Sequence, residues 1–272
     1  MYWYNGKLID SEVLELSIND PGLLYGATVF TTLRVYDECL DNPLSNWSSH
    51  CHRLLTSLEF LRWDFPNWSH IRQGAEIIKT RYKILRITIF PDGREWIMGR
   101  DLPEGLKQRQ EDGIKAIVSD EKLGRSLPSH KTGNYLTPWL GKNIAQLNQC
   151  QEAILVNKEG NWLETTTGNL WAWGNDSWWT PPIEEGILPG VMRNLILKRL
   201  EALQYLVKEE PWTPNLVKDF QAIAYSNSVV EIVPIHSVLK QEELLKYNPY
   251  HQKVRQLRGI FYSTMVHNSD IP

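Results

Sequence analysis

The sequence of 272 residues has few cysteines, no long apolar run and no strong excess of one charge. Its three cysteines, Cys39, Cys51 and Cys150, are odd in number and form no CxxC spacing, which argues against a disulfide framework or a zinc site. No apolar run approaches the length that crosses a bilayer, and residues 1–8 are aromatic and strand-like, unlike a secretory signal. A formal net charge of −3 gives no reason to expect a nucleic-acid or membrane-surface partner. We therefore expect a cytoplasmic protein.

The composition is that of an ordinary globular protein, with 42% apolar and 22% charged residues, and the chain is long enough for two domains. Strand-like segments and segments with helical spacing follow each other without the regular rhythm of a doubly wound sheet. This pattern predicts an α+β fold. We predict an N-terminal α/β domain over residues 1–118, a polar linker over 119–129 and a C-terminal domain over 130–272.

The individual elements follow from the same patterns. We predict helices over residues 50–61, 71–82, 136–149, 191–206 and 250–266. We predict strands over residues 1–8, 29–36, 85–90, 114–118, 153–156, 162–164, 169–173, 178–180, 222–226 and 231–234.

The first segment that could contribute a catalytic residue is HKTGNYL, residues 130–136. Lys131 lies between the breakers Pro128 and Gly133 and precedes a predicted helix, so its amine could project into a cleft. Most lysines in such a loop are simply solvated, and only the neighbouring segments favour the functional interpretation.

The second segment is WLETTTGNLW, residues 162–171. Glu164 stands where an apolar strand meets a bend of small residues, which indicates a partly buried carboxylate. Such a group needs a cation or a donor, and a protonated pyridine nitrogen would serve. A solvated glutamate on an edge strand is the competing interpretation.

The third segment is GILPGVMR, residues 186–193, at the start of a predicted helix. A glycine in the first turn leaves backbone N–H groups open to a phosphate, although a plain Pro-Gly loop is the commoner explanation. The segment is not a Walker A loop, and the chain has no GxGxxG fingerprint.

Together these segments resemble the class IV aminotransferase family, whose members are fold-type IV pyridoxal-phosphate enzymes with a two-domain, D-amino-acid aminotransferase-like fold. The family signature reads here as Glu164, Asn169-Leu170-Trp171, Thr180 and the segment 188–193. Two positions depart from it: Trp171 stands where Phe or Tyr is usual, and Trp178 stands where a smaller apolar residue is usual. Residues 25–34, 50–54 and 226–234 also resemble the family's N-terminal segment, its His-x-x-Arg-Leu helix and its late phosphate and substrate turn.

The resemblance implies a role for each matching residue. Lys131 would be the catalytic Schiff-base lysine, and the other cofactor contacts would be Arg53, Glu164, Asn169, Gly190, Val191, Met192 and Ser228. Substrate contacts would be Thr32, Arg94, Tyr135 and Val229, although Arg94 could equally be a solvated turn residue. No metal site is expected. The family also implies a homodimer and a small amino-acid-like substrate.

The resemblance leaves the reaction open. A 4-amino-4-deoxychorismate lyase, which makes p-aminobenzoate and pyruvate for folate synthesis, is favoured by the compact length, by residues 30–34 and by Asn227. A branched-chain or D-amino-acid aminotransferase is favoured by Tyr25-Gly26, Val29-Phe30 and Glu231-Ile232. The segment 90–94 also lacks the lyases' glycine-rich turn. The third alternative is a non-catalytic ligand-binding member of the family that uses some of its 12 tryptophans as platforms.

Overall fold

A computed structural model of the chain describes residues 1–120 and 123–262. The chain divides into two compact units. The first comprises Met1–Pro103 and His130–Tyr135, and the second comprises Glu104–Ser129 and the chain from Leu136 onward. Both units combine helices with a mainly antiparallel sheet, so the predicted α+β class is confirmed.

The first unit is built on a five-stranded antiparallel sheet in the order β2-β1-β5-β4-β3. Its elements are β1 Tyr2–Tyr4, β2 Lys7–Ile9, α1 Pro21–Tyr25, β3 Val29–Arg34, α2 Trp47–Leu61, α3 Trp68–Ile78, β4 Ile84–Ile89 and β5 Glu95–Arg100. Strand alternation sends Leu33, Leu85 and Ile87 into the core, where none of them is exposed. The opposite face therefore carries the alternate residues, among them Phe30 and its neighbour Arg86.

The segment His130–Tyr135 is attached to the edge of β3. The Phe30 N–H donates to the Lys131 carbonyl at 2.8 Å, and the Gly133 N–H donates to the Thr28 carbonyl at 2.6 Å. A Cβ on Gly133 would lie 2.2 Å from the Thr28 hydroxyl, so only glycine allows this approach. The lysine is thereby fixed to the sheet of the first unit.

The second unit contains a larger sheet in the order β11-β10-β9-β12-β13-β6-β7-β8, with β14 on β13. Because β8 also pairs with β9, the strands β9, β12, β13, β6, β7 and β8 close into a ring. The strands are β6 Ile114–Val118, β7 Glu152–Val156, β8 Trp162–Thr165, β9 Asn169–Gly174, β10 Ser177–Thr180, β11 Val207–Glu209, β12 Ala222–Asn227, β13 Glu231–Lys240 and β14 Glu243–Lys246. The helices are α4 Leu106–Asp112, α5 Leu136–Leu147, α6 Val191–Ala202 and α7 Gln252–Tyr262.

This division differs from the predicted domains 1–118 and 130–272 with a linker over 119–129. The strand β6 pairs in parallel with β13 and β7, so residues 114–118 are part of the second sheet. The predicted linker is part of the second unit except for residues 121–122, which lie outside the described residues. Residues 263–266 of the predicted last helix also lie outside them.

Most of the large tryptophans form core rather than surface. Trp162, Trp171, Trp178 and Trp212 are all at most 1% exposed. These four cannot act as exposed ligand platforms, which removes much of the reason for a binding module. Within residues 1–120 and 123–262, no helix combines the length and apolarity needed to cross a membrane.

Candidate active site

Lys131 lies half-buried between two aromatic rings of the first unit. Its Nζ is 4.8 Å from the ring centroid of Phe30 and 5.0 Å from that of Tyr135. The two rings meet edge to face with centroids 5.4 Å apart. An amine on a fixed backbone between two rings has a restricted direction and reduced hydration. This setting suits the role predicted for Lys131 and brings Tyr135 next to it.

Arg53 is held by a buried hydroxyl. Its Nη2 donates to the Thr31 Oγ1 at 2.6 Å, and the same hydroxyl lies 2.6 Å from the His50 Nδ1. The Thr31 hydroxyl therefore accepts from the guanidinium and also hydrogen-bonds the histidine ring. Burial, and then the positive charges of Arg53 and Lys131, hold the pKa of His50 well below its ordinary value. A neutral histidine thus anchors the predicted phosphate arginine through Thr31.

Arg86 on β4 is a basic residue that the sequence interpretation missed. Its guanidinium carbon lies 3.6 Å from the centroid of the Phe30 ring that also faces Lys131, and Thr32 is its partner on β3. Burial, and then the charge of Arg100, lower the pKa of Arg86 to about 10, and no carboxylate of the described residues counters this. A half-buried guanidinium without an anion is suited to bind a substrate carboxylate. In the strand sequence LRITI, Arg86 alternates with the apolar residues that face the core, and this alternation could have identified it from the sequence.

Arg94, which the sequence interpretation assigned to the substrate, has carboxylate partners of its own. Its Nη2 lies 2.7 Å from the Asp20 Oδ2, its Nε lies 2.6 Å from the Asp92 Oδ2, and its Nη1 donates to the Tyr4 hydroxyl at 2.5 Å. Burial works to lower the pKa of Arg94, but the hydrogen bonds to the two aspartates outweigh it and raise that pKa. These contacts point to a structural role for Arg94.

Glu164 is the buried carboxylate that the sequence predicted in the second unit. Its side chain is 3% exposed, and its Oε1 lies 2.6 Å from the Nε of Arg125, which is 9% exposed. The Leu188 N–H approaches the other oxygen, Oε2, at 3.4 Å. The arginine is the cationic partner that a buried carboxylate needs. Arg125 is a second residue that the sequence interpretation missed.

The start of α6 offers open backbone donors. Gly190 is the N-cap, with no side-chain hydrogen bond to the cap and no acidic residue in the first turn, so the N–H groups of Val191 and Met192 have no carboxylate competitor there. Asn169 on β9 donates to the Leu188 carbonyl at 2.8 Å and holds the preceding loop. A Cβ on Gly190 would lie 2.1 Å from the Asn169 Oδ1, so a side chain has no room.

Ser228 and Val229 lie in the half-buried turn between β12 and β13. The Val229 N–H is not open, because it donates to the Asn227 Oδ1 at 2.9 Å. Ser228 lies in this turn, and its predicted phosphate contact stays a prediction. A substrate contact through the Val229 N–H would have to displace Asn227.

Each unit, taken by itself, has residues of the kinds that a pyridoxal-phosphate cofactor needs. In the second unit, Glu164 is a buried carboxylate, and the start of α6 has no side-chain cap hydrogen bond and no acidic residue in its first turn. Lys131 and Arg53 supply an amine and a guanidinium on fixed backbone. Within the described residues, no group of three or more His, Cys, Asp or Glu side chains could hold a metal ion.

Comparison with known proteins gives concordant findings. The profile of the family described as Amino-transferase class IV matches residues 28–238. A Methanocaldococcus jannaschii protein, named provisionally as a branched-chain-amino-acid aminotransferase, is 29% identical over 87% of each chain. The aminodeoxychorismate lyase of Vibrio harveyi is 25% identical over 95% of this chain and 98% of its own. A hypothetical aminotransferase of Mycobacterium tuberculosis in its PLP-bound form is 20% identical, with a TM-score of 0.81 over 97% of this chain and 99% of that one. The last likeness confirms the predicted fold.

Proposed function

Because this chain belongs to the class IV aminotransferase family, we propose that it is a 4-amino-4-deoxychorismate lyase. The observation that carries this choice is the end-to-end match with the Vibrio harveyi lyase, which covers 95% of this chain and 98% of the relative. The provisionally named branched-chain relative matches 87% of each chain. Asn227 and the segment 30–34 agree with the lyase pattern. The product p-aminobenzoate would then enter folate synthesis.

The family's enzymes use pyridoxal phosphate, and this is the cofactor of the chain. When bound, the cofactor supplies an electron sink for negative charge that develops on the substrate carbon. We assign the Schiff-base position to Lys131 and the partner of the pyridine nitrogen to Glu164. Arg53, the Ser228 hydroxyl and the N–H groups at the start of α6 would hold the phosphate.

In the proposed reaction, the Lys131 amine is the base that removes a proton from the amine-bearing ring carbon. The C–O bond to the enolpyruvyl group then breaks, and its electron pair leaves with the oxygen. The ring becomes aromatic, and the departing enol takes up a proton to become pyruvate. The aromatic cover of Phe30 and Tyr135 limits water around this amine.

Arg86 is our candidate for the substrate carboxylate in place of Arg94. It has no carboxylate partner among the described residues, and it shares the Phe30 ring with Lys131. Arg94 is paired with Asp20 and Asp92.

A second candidate function is amino-acid transamination. It is favoured by the identity of 29% with the provisionally named branched-chain aminotransferase, against 25% with the lyase. Transamination would use the same lysine, glutamate and phosphate contacts but would keep the amino group and need a keto acid to regenerate the cofactor.

The deciding experiment supplies 4-amino-4-deoxychorismate to the purified enzyme without any keto acid, and separately an amino acid with 2-oxoglutarate. Release of p-aminobenzoate and pyruvate over many turnovers without an acceptor supports the lyase. Turnover only with amino acid and acceptor refutes the lyase and supports the transaminase.

We further propose a cytoplasmic homodimer. Leu23, Leu24 and Tyr25 on α1 are 59%, 53% and 76% exposed, which provides apolar surface for an interface. Sedimentation of a fully active monomer at nanomolar concentration would refute the homodimer.

A further inference from the structure

Asn227 closes a pair of backbone donors in the turn between β12 and β13. Its Oδ1 accepts the N–H groups of both Val229 and Val230, each at 2.9 Å. Two successive N–H groups that converge on one oxygen form a concavity suited to an anion, and a carboxylate oxygen could make the same two bonds. In this chain the oxygen belongs to the protein itself.

The orientation of Asn227 is fixed from behind. Its Nδ2 donates to the Thr167 carbonyl at 3.2 Å, which requires Oδ1 to face the two N–H groups. The Thr167 hydroxyl in turn donates to the Glu152 Oε1 at 2.9 Å, and the neighbouring Thr166 hydroxyl donates to Oε2. Lys142 pairs with the same carboxylate at 2.6 Å. Glu152 is only 2% exposed.

This arrangement makes displacement of Asn227 costly. To free the two N–H groups, a ligand would have to break three hydrogen bonds of Asn227. The residue that holds Asn227 from behind, Thr167, is itself bonded to the buried carboxylate of Glu152. The Asn227 side chain therefore stays bonded to the Val229 and Val230 N–H groups and does not move aside for a ligand.

We propose that Asn227 is a specificity-determining residue that withholds the Val229 and Val230 N–H groups from the carboxylate of an α-amino acid. The inference rests on the proposed function and deepens it, because the turn is the one assigned to cofactor phosphate and substrate. The enzyme thereby favours an amine whose amine-bearing carbon carries no carboxylate. In 4-amino-4-deoxychorismate that carbon is a ring carbon, and the carboxylates lie elsewhere on the molecule.

The test compares two probes that differ only by a carboxylate, phenylalanine and 2-phenylethylamine. The holoenzyme is mixed with each probe without a keto acid, and conversion of the cofactor to its amine form is followed by absorbance. Asn227→Ala should raise the efficiency with phenylalanine on the order of tenfold or more, mainly through a lower half-saturation concentration, since a bond to a charged group is gained. The efficiency with 2-phenylethylamine should change little.

Two further variants separate this effect from general loosening. Asn67 accepts the Ser69 and His70 N–H groups in the same pattern at the start of α3, so Asn67→Ala is the matched control and should leave selectivity unchanged. Asn227→Asp keeps an acceptor in place and should show no gain with phenylalanine. An equal rise with both probes, or a gain in Asn227→Asp as large as in Asn227→Ala, overturns the proposal.

A measurement on the unmodified protein without cofactor gives a readout that does not depend on activity. The amides of Val229 and Val230 should be protected from hydrogen exchange, and their NMR shifts should not respond to 3-phenylpropionate. A clear response of both amides in the wild-type protein overturns the proposal even if Asn227→Ala does not fold. Failure to release p-aminobenzoate would refute the lyase alone, since the selectivity between the two probes is measured independently.

Discussion

Gly190→Ala is the substitution whose consequence can be worked out most directly from the structure. The new Cβ would lie 2.1 Å from the Asn169 Oδ1 and 3.3 Å from its Cγ, so the Asn169 side chain must move. That movement breaks its buried bond to the Leu188 carbonyl. An unsatisfied buried amide and the overpacking together lower the free energy of unfolding by about 2–6 kcal/mol. Affinity for pyridoxal phosphate should fall as well, because the same displacement shifts the start of α6.

The assay is thermal unfolding of the cofactor-free protein, followed by titration with pyridoxal phosphate. At roughly 2–4 °C per kcal/mol for a chain of this size, the melting temperature should fall by roughly 5–20 °C. Gly259→Ala is the control, since outside the backbone of α7 itself no atom of residues 1–120 or 123–262 lies within 4 Å of its new Cβ. An alanine inside α7 should stabilise the helix by about 0.5–1 kcal/mol.

The effects of substitutions at Gly190 and Asn169 should be strongly coupled, because the new Cβ would contact the Asn169 side chain. In the double variant Gly190→Ala with Asn169→Ala the clash is gone, so the combined loss should be about 1–3 kcal/mol smaller than the sum of the single losses. Simple additivity of the two single variants would falsify the proposed clash.

Three further predictions concern the first unit. Lys131→Ala should abolish turnover with the melting temperature nearly unchanged, and borohydride should fix the cofactor to the wild-type peptide that contains Lys131, as mass spectrometry can verify. Arg86→Ala should raise KM for carboxylate substrates by about 10- to 100-fold with cofactor affinity retained. Arg94→Ala should instead lower the melting temperature with little change in KM. The reverse pattern would contradict the assignment of the substrate carboxylate to Arg86 in place of Arg94. Burial works to raise the pKa of Asp20, but the hydrogen bonds from Arg94 and the Gly22 N–H outweigh it and lower that pKa, so its stabilising contribution is present above a pH of about 4 and lost as the pH falls through the lower folded value. Asp20→Asn should therefore melt below wild type at neutral pH and converge with it as the pH falls through the lowered pKa of Asp20.

The elements that the sequence predicted best are those with local signals. The strand Ile114–Val118 has the predicted bounds, and Leu136 begins α5 as predicted. The strand Glu95–Arg100 was missed because its residues, EWIMGR, alternate less clearly than its hairpin partner β4. The sheet to which a strand belongs depends on partners far along the chain, and for that reason β6 was placed in the wrong domain.

The residues of the site divide in the same way. Lys131, Glu164 and Gly190 lie in segments that resemble the family's motifs, and that resemblance singled them out. Arg86 and Arg125 carry no motif, and their interest arises from burial and from their neighbours, Phe30 and Glu164. A guanidinium without a carboxylate partner can be recognised only after every candidate partner has been placed. Arg94 could be proposed for the substrate because it lies in a turn that the sequence identifies. The sequence could not show that the Asp20 Oδ2 lies 2.7 Å from the Arg94 Nη2.

Asn227 shows why the reaction is harder to predict than the cofactor. The groups that would hold and activate the cofactor serve a lyase and a transaminase equally, so their presence does not separate the two reactions. Substrate selectivity can instead depend on which oxygen accepts the hydrogen bonds of the Val229 and Val230 N–H groups. That occupant is oriented by Thr167, whose own partner Glu152 lies 75 residues before Asn227 in the sequence. A local motif can flag the asparagine, but only the folded network of Glu152, Thr167 and Asn227 explains how it could exclude an α-carboxylate.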